Sequence, residues 1–241
     1  MPNADTPLVA PARAHDFAPA APGAPRVAGW VVGPLQENTY LVQDPATGAG
    51  ALIDPGAEGD ALVAALRERE RRDGLRLEAV WLTHAHLDHI GALKEVTAAW
   101  DVPVYLHALD RPVFDLAPRA AELWGLPWED QPAPNAEYAE GDVLTLGALR
   151  FTVMHAPGHA PGHVVLHGHG VAFAGDVLFH GSVGRTDLPL SNPRDLSRSL
   201  ARVAELPPAT AVYPGHGAAT TIATELAVNP FLTARARVIG G

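Results

Sequence analysis

Three imidazoles and a carboxylate lie within six residues in the segment Thr83-His-Ala-His-Leu-Asp-His89. The apolar run Leu77–Leu82 before it reads as a β-strand, and on an extended backbone His84 and His86 project to the same side. Imidazole nitrogen binds zinc-class metals at about 2.0–2.1 Å, and two histidines on one face can share an ion. Asp88 and His89 follow where the strand should turn into a helix, and they aim at a neighbouring point rather than the same one. Four candidate ligands exceed what one metal with an open position needs, so the spacing implies two metals. Further ligand types recur in the same local setting. His159 stands in Ala156-Pro-Gly-His-Ala-Pro-Gly-His163, a Gly/Pro turn between two β-prone runs. Asp176 closes the run Val171–Gly175, and His216 follows Ala211-Val-Tyr213 within Pro214-Gly-His-Gly217. Each has a neighbouring glycine, which lets backbone approach closely.

These residues need a scaffold that brings strand ends together. Short β-prone runs at Val27–Val32, Thr39–Gln43 and Ala51–Asp54 are separated by Gly, Pro and Asn, which suggests a meander. Asp60–Arg72 has the spacing of an amphipathic helix stopped by Gly74. After the histidine cluster come a predicted helix at Ile90–Trp100, a strand at Val104–Leu106 and a helical region at Asp110–Trp124. A Pro-rich loop, Pro127–Asn135, leads into a second half with the same plan. Its strands are Val143–Leu146, Phe151–Met154, Val164–Leu166, Val171–Ala174 and Ala211–Tyr213, with helices at Pro193–Leu206 and Thr221–Val228. Strands in groups with helices inserted in each half predict an α+β architecture of two sheets faced by helices, rather than a doubly wound parallel sheet. Met1–Arg26, mostly Ala and Pro and including His15, reads as a disordered tail, and residues 27–241 as one domain.

Composition narrows the function. The 241 residues carry a net charge of −10, with Lys94 the one lysine, so the surface should repel phosphate backbones and anionic lipid. No nucleic-acid or membrane partner is expected. The absence of cysteine excludes thiolate ligands, iron–sulfur clusters and a cysteine nucleophile. The first residues lack a secretory pattern, no apolar stretch reaches the roughly 20 residues that span a bilayer, and the expected compartment is the cytoplasm. There is no Gly-x-Ser-x-Gly elbow, phosphate loop or dinucleotide fingerprint.

The combination His84-x-His86-x-Asp88-His89, His159, Asp176 and His216 resembles the metallo-β-lactamase-fold hydrolases, from about Val27 to the C-terminus. Within them, Gly33-Pro-Leu-Gln-Glu-Asn-Thr-Tyr40, Ile53-Asp-Pro-Gly56, Gly175-Asp-Val-Leu-Phe179, Gly184-Arg-Thr-Asp-Leu-Pro189 and Asn229-Pro-Phe-Leu232 are similar to the glyoxalase II (hydroxyacylglutathione hydrolase) branch, short bacterial type. The resemblance implies a four-layer αβ/βα sandwich with metals at one edge of the sheets. It implies one metal position at His84, His86 and His159, a second at Asp88, His89 and His216, and Asp176 bridging them. Asp54 would support the site from behind, or simply start a turn. His163 would support His159 or cap its turn. Arg185 and Asp187 are placed to line the pocket or to form a loop salt bridge. His107, His155, His167, His169 and His180 fall outside the ligand pattern and are expected to be structural or solvent-facing.

Two divalent ions, zinc first but with iron or manganese also suited to imidazole, can hold a shared hydroxide as nucleophile. Asp88 would orient that hydroxide as well as bind metal. A thiolate leaves without much help from a general acid, so the expected reaction is hydrolysis of a thioester, an S-acyl-glutathione-like small molecule. Full-length glyoxalase II enzymes carry a basic C-terminal helical extension, whereas only Arg235 and Arg237 follow His216 as cations here, which leaves the thiol carrier open. A mononuclear Fe(II) persulfide dioxygenase of the same fold, using His84, His159 and Asp176, is the alternative, and lactone or other ester hydrolysis a further one.

Overall fold

A computed structural model describes residues 14–18 and 23–238. Seven strands form one sheet in the order β1 (His15–Phe17), β2 (Arg26–Val32), β3 (Glu37–Gln43), β4 (Ala49–Ile53), β5 (Arg76–Trp81), β6 (Val104–His107) and β7 (Ala136–Tyr138). The second sheet has six, listed by chain position as β8 (Val143–Leu146), β9 (Leu149–His155), β10 (Val164–Gly168), β11 (Val171–Gly175), β14 (Ala211–Pro214) and β15 (Thr220–Thr221). Its spatial order is β15-β14-β11-β10-β9-β8. A small hairpin, β12 (Leu178–Phe179) and β13 (Ser182–Val183), stands apart from both sheets. The helices are α1 (Gly59–Asp73), α2 (Leu87–Ile90), α3 (Leu93–Ala99), α4 (Arg111–Trp124), α5 (Pro193–Val203) and α6 (Ile222–Val228).

Three buried clusters separate four layers. Alternate residues of a strand face opposite sides of its sheet, and here both faces are covered. Val80 and Leu82 join Leu62, Leu66, Leu93 and Val113 between the first sheet and its helices. Trp81, between them in sequence, meets Phe151, Val164 and Phe173 in the core between the sheets. On the second sheet Val165 and Val212 face outward onto Leu196, Leu200 and Ile222 of α5 and α6. The result is the four-layer αβ/βα sandwich that the resemblance implies, with the two helix-faced sheets that the strand grouping predicts.

The two sheets are tied at the edge where the candidate ligands lie. Val164 N–H donates to Thr83 O at 2.8 Å, joining the end of β5 to the start of β10. Asn38 N–H donates to Gly215 O at 2.7 Å, and Gly215 N–H to Gly175 O at 2.9 Å, joining the β3, β14 and β11 ends.

Several expectations are corrected. The chain does not begin its structure at Val27: β1 pairs antiparallel with β2, with His15 opposite Gly29, and His15 packs its ring on Phe17. Alternating packing of Phe17 against Tyr40 and Tyr213 outweighs the local Ala/Pro composition there. The rest of the expected tail, residues 1–13 and 19–22, lies outside the described residues. The single helix predicted over Ile90–Trp100 is two, α2 and α3, because Gly91 ends the first and Ala92 N–H turns to donate to Pro55 O at 2.9 Å. The strands β7, β12, β13 and β15 were not foreseen, being two or three residues long. Among the described residues no helix is long and apolar enough to cross a membrane.

The start of α5 offers a stability test. Asn192 Oδ1 accepts the N–H groups of Arg194 and Asp195 at 2.9 and 3.3 Å, satisfying donors that the first helical turn leaves open. Asn192→Ala is expected to lower stability by about 1 kcal/mol, read as a shift of the urea midpoint at constant slope.

Candidate metal centre

The strand ends bring seven side chains to one edge of the sandwich. Ligand atoms of His84, His86 and His159 lie within 4.8 Å of one another, and so do those of Asp88, His89 and His216. Asp176, after β11, stands between the groups. Its carboxylate oxygens are 3.4 Å from His159 Nε2, 3.5 Å from His89 Nε2 and 3.6 Å from His216 Nε2. His216 Nε2 is also 3.2 Å from Asp88 Oδ2.

Whether this cluster suits a cation is answered by its unmet bonds. His84 Nε2, His89 Nε2 and Asp176 Oδ1 are buried and have no hydrogen-bond partner, a rare condition for a buried polar atom. The tautomers explain what those atoms offer. His159 Nδ1 is 2.8 Å from Arg185 O, which can only accept, so Nδ1 carries the proton and Nε2 a lone pair, which lies 2.8 Å from His86 Nδ1. His89 Nδ1 donates to Asp54 Oδ2 at 3.0 Å, so Nε2, 3.5 Å from Asp176 Oδ1, is the nitrogen on which a metal ion would take the place of a proton. Thr83 gives its hydroxyl proton to Asp54 Oδ2 at 2.6 Å and so accepts from His84 Nδ1 at 3.1 Å, which again leaves Nε2 as the donor atom. Lone pairs from three imidazoles and two carboxylates therefore converge, and the residues fit metal ions.

Electrostatics agree. Burial, reinforced by neighbouring imidazoles, holds the pKa of His84 and His86 well below the usual histidine value and lowers that of His159 as well, which keeps their lone pairs available. At His89 burial acts against the charge, but Asp176, Asp88 and Asp54 outweigh it and push the pKa well up. The field there favours a cation. Burial likewise opposes ionisation of Asp88, yet His89 and His216 hold its carboxyl well below the ordinary range.

Asp54 lies just past β4 at a φ of 49°, a left-handed conformation that Asp tolerates better than most residues. Its carboxylate accepts Thr83 N–H at 2.7 Å, Thr83 O–H and His89 Nδ1–H. Although Asp54, His84 and His89 also form a compact ligand-type group, these bonds commit Asp54 to orienting its neighbours. His163 Nε2 accepts the backbone N–H of Asp176 at 2.9 Å, and its ring stacks on His84 with centroids 4.7 Å apart. Glycine is required next to Asp176: Gly175 has φ 44°, and a Cβ there would sit 2.4 Å from Thr83 Oγ1 and 2.7 Å from His163 Nε2.

Three supporting residues were missed by sequence reasoning. Glu37 is 1% exposed, and its Oε1 lies 3.8 Å from His89 Nδ1. Burial pushes its carboxyl well above the usual range. Asn38 donates its side-chain N–H groups to Pro214 O and Gly217 O, both at 2.9 Å, and so clamps the loop of His216. Both stand in the Gly33–Tyr40 motif, where a signal existed without a role. Asp110 had none, being only the first residue of the predicted helical region Asp110–Trp124. It instead accepts Ala85 N–H at 2.7 Å and Gly162 N–H at 2.6 Å, pinning the His84–His86 turn to the His159–His163 loop, and burial pushes its pKa up to about 6.

A cleft of about 400 Å³ opens over the cluster, with His86, Asp88, His159, Asp176 and His216 on its floor. Arg185 lines it, but its guanidinium is bonded to both carboxylate oxygens of Asp187, at 2.6 and 2.7 Å. The remaining histidines lie elsewhere. His107 stacks flat on His155, His180 bonds Glu225, His169 accepts Arg150 N–H, and His167 is half-buried on β10.

Known proteins share this arrangement of sequence and fold. The family model for the metallo-β-lactamase superfamily matches residues 32–216. The chain is 36% identical over 206 residues to a Haemophilus influenzae protein named hydroxyacylglutathione hydrolase GloC, covering 83% of this chain and 95% of that one. A crystal structure of TTHA1623 in a di-iron-bound form is similar at 46% identity and a TM-score of 0.76, over 85% of this chain and 99% of that one. ETHE1 from Myxococcus xanthus is similar at 29% identity and a TM-score of 0.70, over 86% and 84% of the two chains.

Proposed function

The chain belongs to the metallo-β-lactamase superfamily, and within it we propose a binuclear metal-dependent hydrolase that cleaves acyl thioesters. The observation that carries this reading is the pair of three-residue donor groups with Asp176 between them and buried lone pairs left unbonded. His84, His86 and His159 would hold one divalent ion, Asp88, His89 and His216 the other, and Asp176 would serve both. Two such ions, when bound, supply a hydroxide nucleophile near neutral pH and polarise the carbonyl. The di-iron-bound neighbour and the relative named as a hydroxyacylglutathione hydrolase support the reading. Zinc, iron and manganese all suit the donors.

The protein's own groups then have defined tasks. Asp54, through Thr83 and His89, keeps the imidazole protons on the far side from the reacting centre. Asp88, partly exposed at the cleft floor and held ionised, can accept a hydrogen bond from the attacking water and aim it. Water adds to the carbonyl carbon, the carbon–sulfur bond breaks, and the products are a carboxylic acid and a free thiol. Expulsion of a thiolate asks little of a general acid, because thiols have pKa values near about 8.5.

Metal content of protein purified without oxygen or chelator is the test. About two ions per chain, together with hydrolysis of thioesters that chelation abolishes and added metal restores, is the expected result. One iron per chain with oxygen uptake on a glutathione persulfide would replace the hydrolase with the dioxygenase alternative.

A further inference from the structure

We infer that the cleft selects substrates by an apolar acyl group, a medium-length alkyl chain or an aromatic ring, laid along α4. The inference rests on the hydrolase reading and names its substrate class. Twelve of the eighteen residues lining the cleft are apolar, and five of the other six are the candidate metal ligands of its floor. Arg185 is the remaining one, the only lysine or arginine among the described lining residues, and Asp187 already neutralises it. One wall is a helical stripe. Val113, Leu116, Ala117, Ala120, Leu123 and Trp124 recur at intervals of three and four, so they share a face of α4.

Outward exposure of that stripe is unusual for large apolar side chains. Leu116 is 41% exposed, Leu123 68% and Trp124 46%, while Val113 and Ala117 are buried against the core. Phe179, Val183, Leu188 and Pro189 close the opposite side. Continuity with the metal floor places the occupant next to the reacting carbonyl. A thioester carbonyl there bears an acyl arm and a thiol arm, and the acyl arm, varied at a constant thiol in the test below, is the one assigned to these walls. Apolar walls of this volume with a few convergent polar groups are the usual form of a small-molecule site. The α4 wall offers a polar hydroxyacyl group a single side-chain donor, the Trp124 indole N–H at its end, and is otherwise hydrocarbon.

The test is a series of S-acyl-N-acetylcysteamine thioesters from acetyl to decanoyl, with lactoyl as the polar member, on metal-loaded protein. Each methylene buried in the cleft should raise kcat/KM by about threefold to fourfold, so octanoyl, six methylenes longer, should exceed acetyl by roughly 700-fold or more when all six are buried. Leu123→Asp and Leu116→Asp, at exposed positions where folding is not at stake, should each cut the octanoyl-to-acetyl ratio by about tenfold. Val143→Asp, exposed on β8 away from the cleft, should leave that ratio unchanged. A flat series, a preference for lactoyl, or α4 variants that alter only the oligomeric state would overturn the inference while leaving the hydrolase reading intact. Calorimetric titration with butanoate and decanoate separates the two readings. Tight decanoate binding that Leu123→Asp weakens, with no thioester hydrolysed, would keep the apolar site and sink the hydrolase. Equal binding of the two acids would overturn the site.

Discussion

Asp176→Ala is expected to lower bound metal from two ions per chain to one or fewer and to reduce kcat/KM by about 10³-fold or more. Asp176 is the side chain that touches donors of both groups, at 3.4 Å from His159 and at 3.5 and 3.6 Å from His89 and His216. Without it each group of three would have to hold its ion alone, and the site would lose a carboxylate whose negative charge would favour a cation at either group. Folding should survive. The backbone N–H that His163 accepts remains, and the substitution removes a negative charge from a region crowded with carboxylates. Elemental analysis beside kcat/KM and far-UV circular dichroism decides the matter. A folded variant with two ions and wild-type turnover would remove Asp176 from the site.

The second large effect comes from a residue that need not touch a metal. Asp54→Asn keeps size and tolerates the left-handed backbone, so the turn itself is preserved. Asparagine can still accept Thr83 N–H through Oδ1, but an amide NH₂ then replaces the oxygen that takes protons from Thr83 O–H and His89 Nδ1. His89 must move its proton to Nε2, the atom that faces Asp176, and Thr83 can no longer hold the His84 tautomer. Metal affinity should fall about 10- to 100-fold, as for other carboxylates behind metal-bound histidines, with a comparable or larger loss of kcat/KM. Chelator competition measures the first, and a melting temperature close to wild type in the metal-free protein separates orientation from folding. Unchanged affinity would show that Asp54 only shapes the turn.

Much of this site was legible in the chain before any fold was known. His84 and His86 sit two residues apart after an apolar run, so alternation alone aims both imidazoles to one side. His159, Asp176 and His216 announced themselves as ligand types beside glycines at the ends of β-prone runs. Two sheets faced by helices were legible in the grouping of strands with helices inserted in each half, while the four-layer αβ/βα order was what the family resemblance implied.

Other features depended on contacts that local spacing does not encode. Asp110 stands in the sequence only as the first residue of a helical region, and its role exists only because register brings Ala85 and Gly162 to the same carboxylate. The β1 strand forms because Phe17 finds Tyr40 and Tyr213, although its own neighbourhood is Ala/Pro-rich. The Leu116–Trp124 stripe lies in a segment that the sequence marks only as helical, and the placement of α4 beside the metal floor turns it into a cleft wall. A sequence determines which atoms a segment offers and the side on which it offers them. Which distant segment receives them is decided by sheet register and by the packing of one layer on the next, over separations of tens of residues to more than a hundred.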